Sequence, residues 1–385
     1  MKLIRVAAAV LNQTPLDWSG NEARIRKAIQ DARAQDTSIL CLPELCITGY
    51  GCEDAFHSAG IQGTALQVLE RLLPETKGML VSLGLPLMFQ NALFNVVCMV
   101  ADGRILGFVA KRFLAGDGIH YEPRWFKPWP AQVRSTVQVF GKAFPIGDLL
   151  FELGDVRIGL EICEDAWVAA RPGAALALQG VDIILNPSAS HFAFGKIRVR
   201  ERFVLEGSRA FNASYVYSNL LGNESGRAIY DGGAMIASGG ALLAKGPRFS
   251  YRDVIVTSAV IDVAATRINQ ARTGSYHSAV NALSDAFSNF KYPEFFITYF
   301  GEKAVDFAIT GENPFKVRWF SKKESKEVKL PAAPQPPQGI ISPDGAESVG
   351  RAIERTLAAL EKTTGPIRVI LESTELKAIV ERPAA

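Results

Sequence analysis

At 385 residues, 48% of them hydrophobic, the chain can bury a substantial core, and one large domain with an appendage is expected rather than several small ones. A formal net charge of +3, with no basic stripe interleaved with aromatics, argues against a nucleic-acid partner, and no segment has the uninterrupted apolar length to cross a bilayer. Five cysteines, odd in number and thinly spread, form no disulfide framework, so a reducing cytoplasm is the expected location.

The run Met1 to Val10 carries an early lysine, but Arg5 interrupts it and no cleavage region follows, so a first β-strand is predicted rather than a signal peptide. Ser19 followed by Glu22 reads as a capping box, and Ile25, Ala28, Ile29 and Ala32 recur on one helical face. The next strand, Ser38 to Leu42, ends at Pro43-Glu44, because proline cannot continue a central ladder. Glu44 therefore stands at a strand's carboxyl end. Its neighbours Leu45, Cys46, Ile47 and Tyr50 are apolar enough to raise its pKa and suit it to proton transfer, where an ordinary solvated loop acid is the alternative. Cys41, Cys46 and Cys52 lack a C-x-x-C pair and a histidine at ligand spacing, so they read as small buried hydrophobes and no metal is expected.

A strand from Met79 to Leu85 precedes a hairpin with arms Phe94 to Val100 and Ile105 to Ala110, turning at Asp102-Gly103. Lys111 ends the second arm. The segment after it, Arg112 to Phe126, is long, aromatic and broken by glycine, and loops of that size usually line a site. A Gly154-Asp155 turn leads into the β-rich run Val156 to Ile162, which places Cys163 at another strand end before a helix. In open α/β sheets such ends carry chemistry, and a cysteine there can be an activated thiolate; a buried structural thiol is the alternative. Beyond it are predicted a helix at 168–179, a strand Val181 to Leu185, the loop Asn186 to Phe192 and a long helix at 194–211. Strands at 214–220, 232–237, 241–244 and 253–263 follow. Two sheets of similar plan, each covered by helices on one side, predict an α/β sandwich. From Arg267 to Trp319 the periodicity is poor and aromatics dense; Leu330 to Gly339 reads as a stiff linker, followed by a short helix (Ile353, Leu357, Leu360 in phase) and a strand Ile367 to Leu371.

Glutamate, lysine and cysteine, each at a predicted strand end, form a working set for attack on an amide or nitrile carbon. Cys163 would be the nucleophile, Glu44 the base that takes its proton and returns it to ammonia, and Lys111 the charge that holds the oxyanion; no cofactor is required. Leu42-Pro43-Glu44-Leu45 with Thr48-Gly49-Tyr50, Lys111, and Cys163-Glu164-Asp165 resemble the signature blocks of the nitrilase (carbon–nitrogen hydrolase) superfamily. Further blocks resemble the glutaminase domain of glutamine-dependent NAD synthetases: Tyr121 to Phe126, Asn186 to Ser190 with Gly195-Lys196, and Tyr215-Val216-Tyr217 with Asp231 to Met235.

This resemblance, over roughly residues 1–320, implies a four-layer αββα sandwich with a C-terminal extension, a Glu-Lys-Cys triad and a homo-oligomer, dimeric or larger. It makes Glu122 a second carboxylate that orients Lys111 and the substrate, has Ser190 and Lys196 grip the glutamine head group, and has Trp167 wall the pocket, with Tyr121 a further contact. A helix N-cap is the alternative for Ser190, and a solvated helix face for Lys196. The expected division is a hydrolase domain at 1–265, a wrapping extension at 266–329, a linker at 330–343 and a helix–strand tail at 344–385. The Ser-Gly-Gly-x-Asp-Ser loop of an ATP pyrophosphatase is missing: the lone Ser-Gly-Gly, Ser238 to Gly240, falls in a predicted hairpin. ATP binding and NAD synthesis are therefore not expected of these residues; either a separate synthetase receives the ammonia or the domain has been recruited elsewhere. The other readings are an amidase or nitrilase for another small amide or carbamoyl compound, a non-catalytic regulatory partner of a synthetase, and a Cys-His hydrolase using His57, His120, His191 or His277, of which only His120 and His191 lie in expected pocket loops.

Overall fold

The computed structural model describes residues 2–224 and 228–274 continuously, and beyond them the strands Lys291–Tyr292, Ala304–Thr310, Asn313–Arg318, Glu327–Lys329, Ile367–Glu372 and Lys377–Arg382. The strand Leu3–Leu11 shows why these residues stack in layers. Its side chains alternate between two cores. Ala7, Ala9 and Leu11 face one that includes Ile25, Ala28, Ile29 and Ala32 of helix Trp18–Ala34 and Ala65, Val68, Leu69 and Leu72 of helix Ala59–Leu72. Ile4, Val6, Ala8 and Val10 face a second core shared with Phe151, Ile158, Leu160, Ile183, Leu185 and Val216. A strand buried on both faces must be apolar throughout, which is why its sequence passes superficially for a signal segment.

The first sheet has eight strands, in the order Val254–Asp262, Leu3–Leu11, Ile39–Cys41, Leu80–Phe89, Ala92–Ala101, Arg104–Ala110, Lys142–Gly147 and Arg134–Val139. The second runs Ala241–Lys245, Met235–Ser238, Ser214–Asn219, Ile183–Ser188, Val156–Leu160, Phe151–Leu153 and Lys291–Tyr292. On its outer face Ile184, Tyr215, Tyr217, Met235 and Ala237 pack with Leu176 and Val204 of helices Pro172–Leu178 and Lys196–Ala210. Helix, sheet, sheet, helix is the expected αββα order. The triads Leu3–Leu11, Ile39–Cys41, Leu80–Phe89 and Val156–Leu160, Ile183–Ser188, Ser214–Asn219 are parallel, so their carboxyl ends collect functional loops.

Several local expectations change. Helix Trp18–Ala34 is capped by Asp17, whose Oδ1 accepts the Gly20 N–H at 3.1 Å; Ser19 lies inside the first turn, and Glu22 pairs instead with Arg26 and Arg71. The hairpin Arg134–Val139 and Lys142–Gly147 has no counterpart in the sequence reading, since Pro145 interrupts its second arm and outward polar residues dilute its first. The boundary expected at 265/266 falls inside helix Val263–Arg272. That helix is fastened to the second sheet by Gln270 Nε2, donating to Val181 O at 3.0 Å, and by Arg267 on Asp182 at 2.8 Å.

Two compact units are seen, Met1–Tyr299 and Phe300–Ala385. In the second, a five-stranded sheet joins Glu327–Lys329, Asn313–Arg318, Ala304–Thr310, Ile367–Glu372 and Lys377–Arg382, so residues read as extension and as tail share one sheet. The linker 330–343 and the short helix around Leu357 lie outside the described residues.

Candidate active site

Four strand ends, two from each sheet, meet in one buried place. Glu44 follows Ile39–Cys41 and Lys111 follows Arg104–Ala110 in the first sheet; Cys163 follows Val156–Leu160 and Ala189 follows Ile183–Ser188 in the second. Glu44 is fully buried and Lys111 is 1% exposed. The lysine Nζ donates to Glu44 Oε1 at 2.6 Å and to Glu122 Oε1 at 2.7 Å. Asn95 Nδ2 donates to the same Glu44 oxygen at 2.8 Å, and the Ala189 N–H donates to Oε2 at 3.0 Å.

Burial pushes Glu44 up to about 7, against the pull of the Lys111 ammonium. Burial alone would lower Lys111, but the Glu122 and Glu44 carboxylates outweigh it and hold the amine firmly protonated. Burial and then the Glu44 carboxylate push the Cys163 thiol up, with Lys111 and the backbone at Ala189 acting the other way. At rest the proton sits on sulfur, and the neighbouring carboxylate can take it.

The elbows that present these groups are strained. Cys163 has φ +45° and Leu45, just after Glu44, φ +48°, a region non-glycine residues adopt at a cost of roughly 1 kcal/mol or more. The Cys163 turn is held by Asp165, which accepts the Ile162 N–H at 2.9 Å and the Phe113 N–H at 2.8 Å, and so ties it to the segment after Lys111. The Glu44 turn lies directly on Gly84, where an added Cβ would stand 2.3 Å from Leu45 N. Gly84→Ala is expected to displace Glu44, lowering kcat and destabilising the fold by about 1–3 kcal/mol. Paired activity and denaturant measurements check it, and an unchanged kcat would count against a positional role.

Glu122, at the start of the short helix Glu122–Trp125, also accepts the Ala115 N–H at 3.1 Å and the Tyr50 hydroxyl at 2.6 Å. Ser190 is buried: its N–H donates to Asn219 Oδ1 at 2.8 Å, and its hydroxyl accepts from Arg200 Nε at 3.1 Å. It does not cap the following helix, whose cap is Gly195 at φ +77°. Arg200, fully buried and paired with Asp231 at 2.7 Å, also binds the Ser190 and His191 carbonyls and so clamps this loop. Lys196 is half-buried, 5.3 Å from the Trp167 ring centroid and 3.1 Å from His191 Nδ1. The structure therefore brings Lys196 and Trp167 together. Tyr121 is different: its side chain is 51% exposed, and its predecessor His120 turns inward onto Tyr50 and His191 instead. Asn95 reads in the sequence only as a polar residue within an apolar strand, and Arg200 only as one more charge on a basic helix.

A family model described as Carbon-nitrogen hydrolase matches residues 5–268. Among curated proteins, the chain is similar to the glutamine-dependent NAD(+) synthetase of Mus musculus, 32% identical over 338 residues, covering 85% of this chain and 46% of that protein. It is 34% identical over 289 residues to the synthetase of Saccharomyces cerevisiae, covering 72% of this chain and 40% of that one. Among solved structures, a glutamine-dependent NAD(+) synthetase from Cytophaga hutchinsonii matches with a TM-score of 0.64 and 44% identity, over 67% of this chain and 43% of that chain. An amidase from Nesterenkonia sp. AN1 shares the fold at a TM-score of 0.56 and 19% identity, over 69% of this chain and 93% of that chain. The chain spans less than half the length of the curated synthetases it matches.

Proposed function

Because the chain belongs to the carbon–nitrogen hydrolase family, we propose that it hydrolyses the side-chain amide of glutamine to glutamate and ammonia through a thioester on Cys163. The observation that carries this reading is the buried set of Glu44, Lys111 and Glu122, with Cys163 close enough to feel the charge of all three. As sulfur attacks the amide carbon, its proton passes to Glu44, and the Lys111 ammonium faces the negative charge that develops on the carbonyl oxygen. When the carbon–nitrogen bond breaks, Glu44 returns that proton to the departing nitrogen, which leaves as ammonia. Water then adds to the thioester carbon and gives a proton to Glu44; the carbon–sulfur bond breaks, the proton returns to sulfur, and glutamate is released. All three groups are restored.

Specificity for glutamine over a plain amide rests on a cation at the far end of the substrate. In this reading Lys196, half-buried against Trp167, is that cation, with Trp167 as a wall and Ser190 as a further contact; the approach of ammonium to ring supports it. The ammonia acceptor we propose is an NAD synthetase, supported by the activity that the relatives' names carry. Trapping with a diazo-ketone analogue of glutamine, followed by peptide mass spectrometry, tests the core of this reading. An adduct on Cys163 that glutamine suppresses is expected; labelling that glutamine leaves unchanged would overturn it.

Burial pushes Lys196 down to about 8, aided by Arg200. As pH rises through that value the ammonium is lost, and with it the attraction for the substrate carboxylate. The KM for glutamine is expected to climb between pH 7 and 9 while that of butyramide stays flat. Lys196→Ala should raise the glutamine KM by on the order of 10- to 100-fold, the worth of a hydrogen bond between charged groups. Steady-state kinetics with both amides checks this, and equal effects on the two would assign Lys196 elsewhere.

A further inference from the structure

Between Lys196 and Glu122 runs an unbroken line of polar contacts through three side chains. Tyr50 Oη lies 2.6 Å from Glu122 Oε1 and 3.2 Å from His120 Nδ1. His120 Nε2 lies 2.8 Å from His191 Nδ1, and Lys196 Nζ lies 3.1 Å from His191 Nδ1 and 3.4 Å from its Nε2. The chemistry of each group orders the protons. An ionised carboxylate only accepts, so the one hydroxyl proton of Tyr50 goes to Glu122. The contact with His120 then requires that Nδ1 carry the imidazole proton, which leaves Nε2 bare. His191 must in turn donate from Nδ1, so although Lys196 Nζ stands nearer that nitrogen, only the bare Nε2 can accept from the ammonium. Every donor in the line points toward Glu122, and Glu122 is the carboxylate that holds Lys111.

We propose that His120 and His191, with Tyr50, form a directional positioning relay that couples occupation of Lys196 by a substrate carboxylate to the orientation of Glu122 and Lys111. The relay deepens the glutaminase reading and rests on it, since it assumes that Lys196 anchors the far end of the substrate. A carboxylate drawing on the ammonium weakens its hold on His191, and each successive bond adjusts in turn. An amide without that carboxylate leaves the line as it stands. The line is built to stay neutral. Burial, then His191, Lys196 and Lys111, push His120 down to about 3; burial, then Lys196 and Arg200, push His191 down to about 4 against Asp231. Glu164, the remaining acid coupled to Lys196, is itself raised by burial. Burial, then Glu122 and Glu44, keep Tyr50 a phenol.

The test uses the full chain, whose four histidines make imidazole nitrogen spectra tractable. With ¹⁵N-histidine labelling and His120→Gln and His191→Gln for assignment, both rings are expected as neutral Nδ1–H tautomers from pH 8 to pH 5. Tyr50→Phe, which removes the acceptor, should release His120 and then His191 toward the Nε2–H form favoured by free imidazole. An Nε2–H ring at either position in the parent, or spectra that Tyr50→Phe leaves unmoved, would overturn the relay. Kinetics supplies the second arm. His120→Phe should lower kcat/KM for glutamine about tenfold more than for butyramide, by the loss of a hydrogen bond in a charged line, and His120→Gln, which keeps a donor and an acceptor, should recover most of it. Equal losses on both amides would reduce His120 to a structural role. Should the parent hydrolyse neither amide, the glutaminase reading falls, and the tautomers still decide the relay.

Discussion

Cys163→Ala is expected to abolish the proposed release of ammonia from glutamine, with kcat reduced by about 10⁴-fold or more, the scale on which losing a nucleophile from a cooperating set is felt. The sulfur is the only part of that residue the chemistry needs. Alanine accepts the strained backbone at φ +45° about as poorly as cysteine does, so the elbow gains no new strain, and Asp165 still holds it through the Ile162 and Phe113 N–H groups. Circular dichroism and the denaturant midpoint should stay close to those of the parent. A well-folded variant that keeps kcat within tenfold would refute the thioester route. The pH profile carries a linked signature. Because burial holds Glu44 near 7, kcat/KM should fall as pH drops through that value and the base acquires its proton.

Lys111→Met is expected to be as damaging to the fold as to the reaction. The Glu44 and Glu122 oxygens that converge on this one ammonium, at 2.6 and 2.7 Å, would be left as two buried carboxylates with no cation between them. Breaking a buried charge set by removing one partner costs about 3–5 kcal/mol. The sign of the pH dependence follows from linkage. Without the ammonium, burial of Glu44 is opposed by one cation fewer, so that carboxyl titrates higher in the folded than in the unfolded chain; the folded state binds more protons and stability falls as pH rises. Urea midpoints should accordingly recover between pH 8 and pH 5, and Lys111→Met combined with Glu122→Gln should restore part of the loss at pH 8. A single variant within about 0.5 kcal/mol of the parent would mean that the carboxylates are already solvated.

Much of this arrangement is legible in the chain because strands buried on both faces leave long apolar runs, and their exits are marked by residues that cannot continue them. Pro43-Glu44, Lys111 and Cys163 are found that way. What local patterns do not carry is direction. In the segment Arg112 to Tyr121 there is no helical or strand period to say which side chain turns inward, so Tyr121 and His120 are indistinguishable until the fold sets one outside and the other against Tyr50. Asp17 and Ser19 compete as caps by the same rules, and only the backbone decides for Asp17. Arg200 reads as one more charge on a basic helix, yet it is buried by its pairing with Asp231, thirty-one residues further along. The hairpin of Arg134–Val139 and Lys142–Gly147 is missed because its alternation is half polar and broken by Pro145.

The groups proposed to react are divided between two sheets that share no strand, with acid and amine on one and sulfur on the other. In the proposed reaction, turnover is therefore a proximity gauge for the seam between them. A substitution deep in that seam, at Ile183 or Val216 for instance, that let the layers slip by a fraction of an ångström would present in the assay as damage to the chemistry, although every reactive atom remained in place.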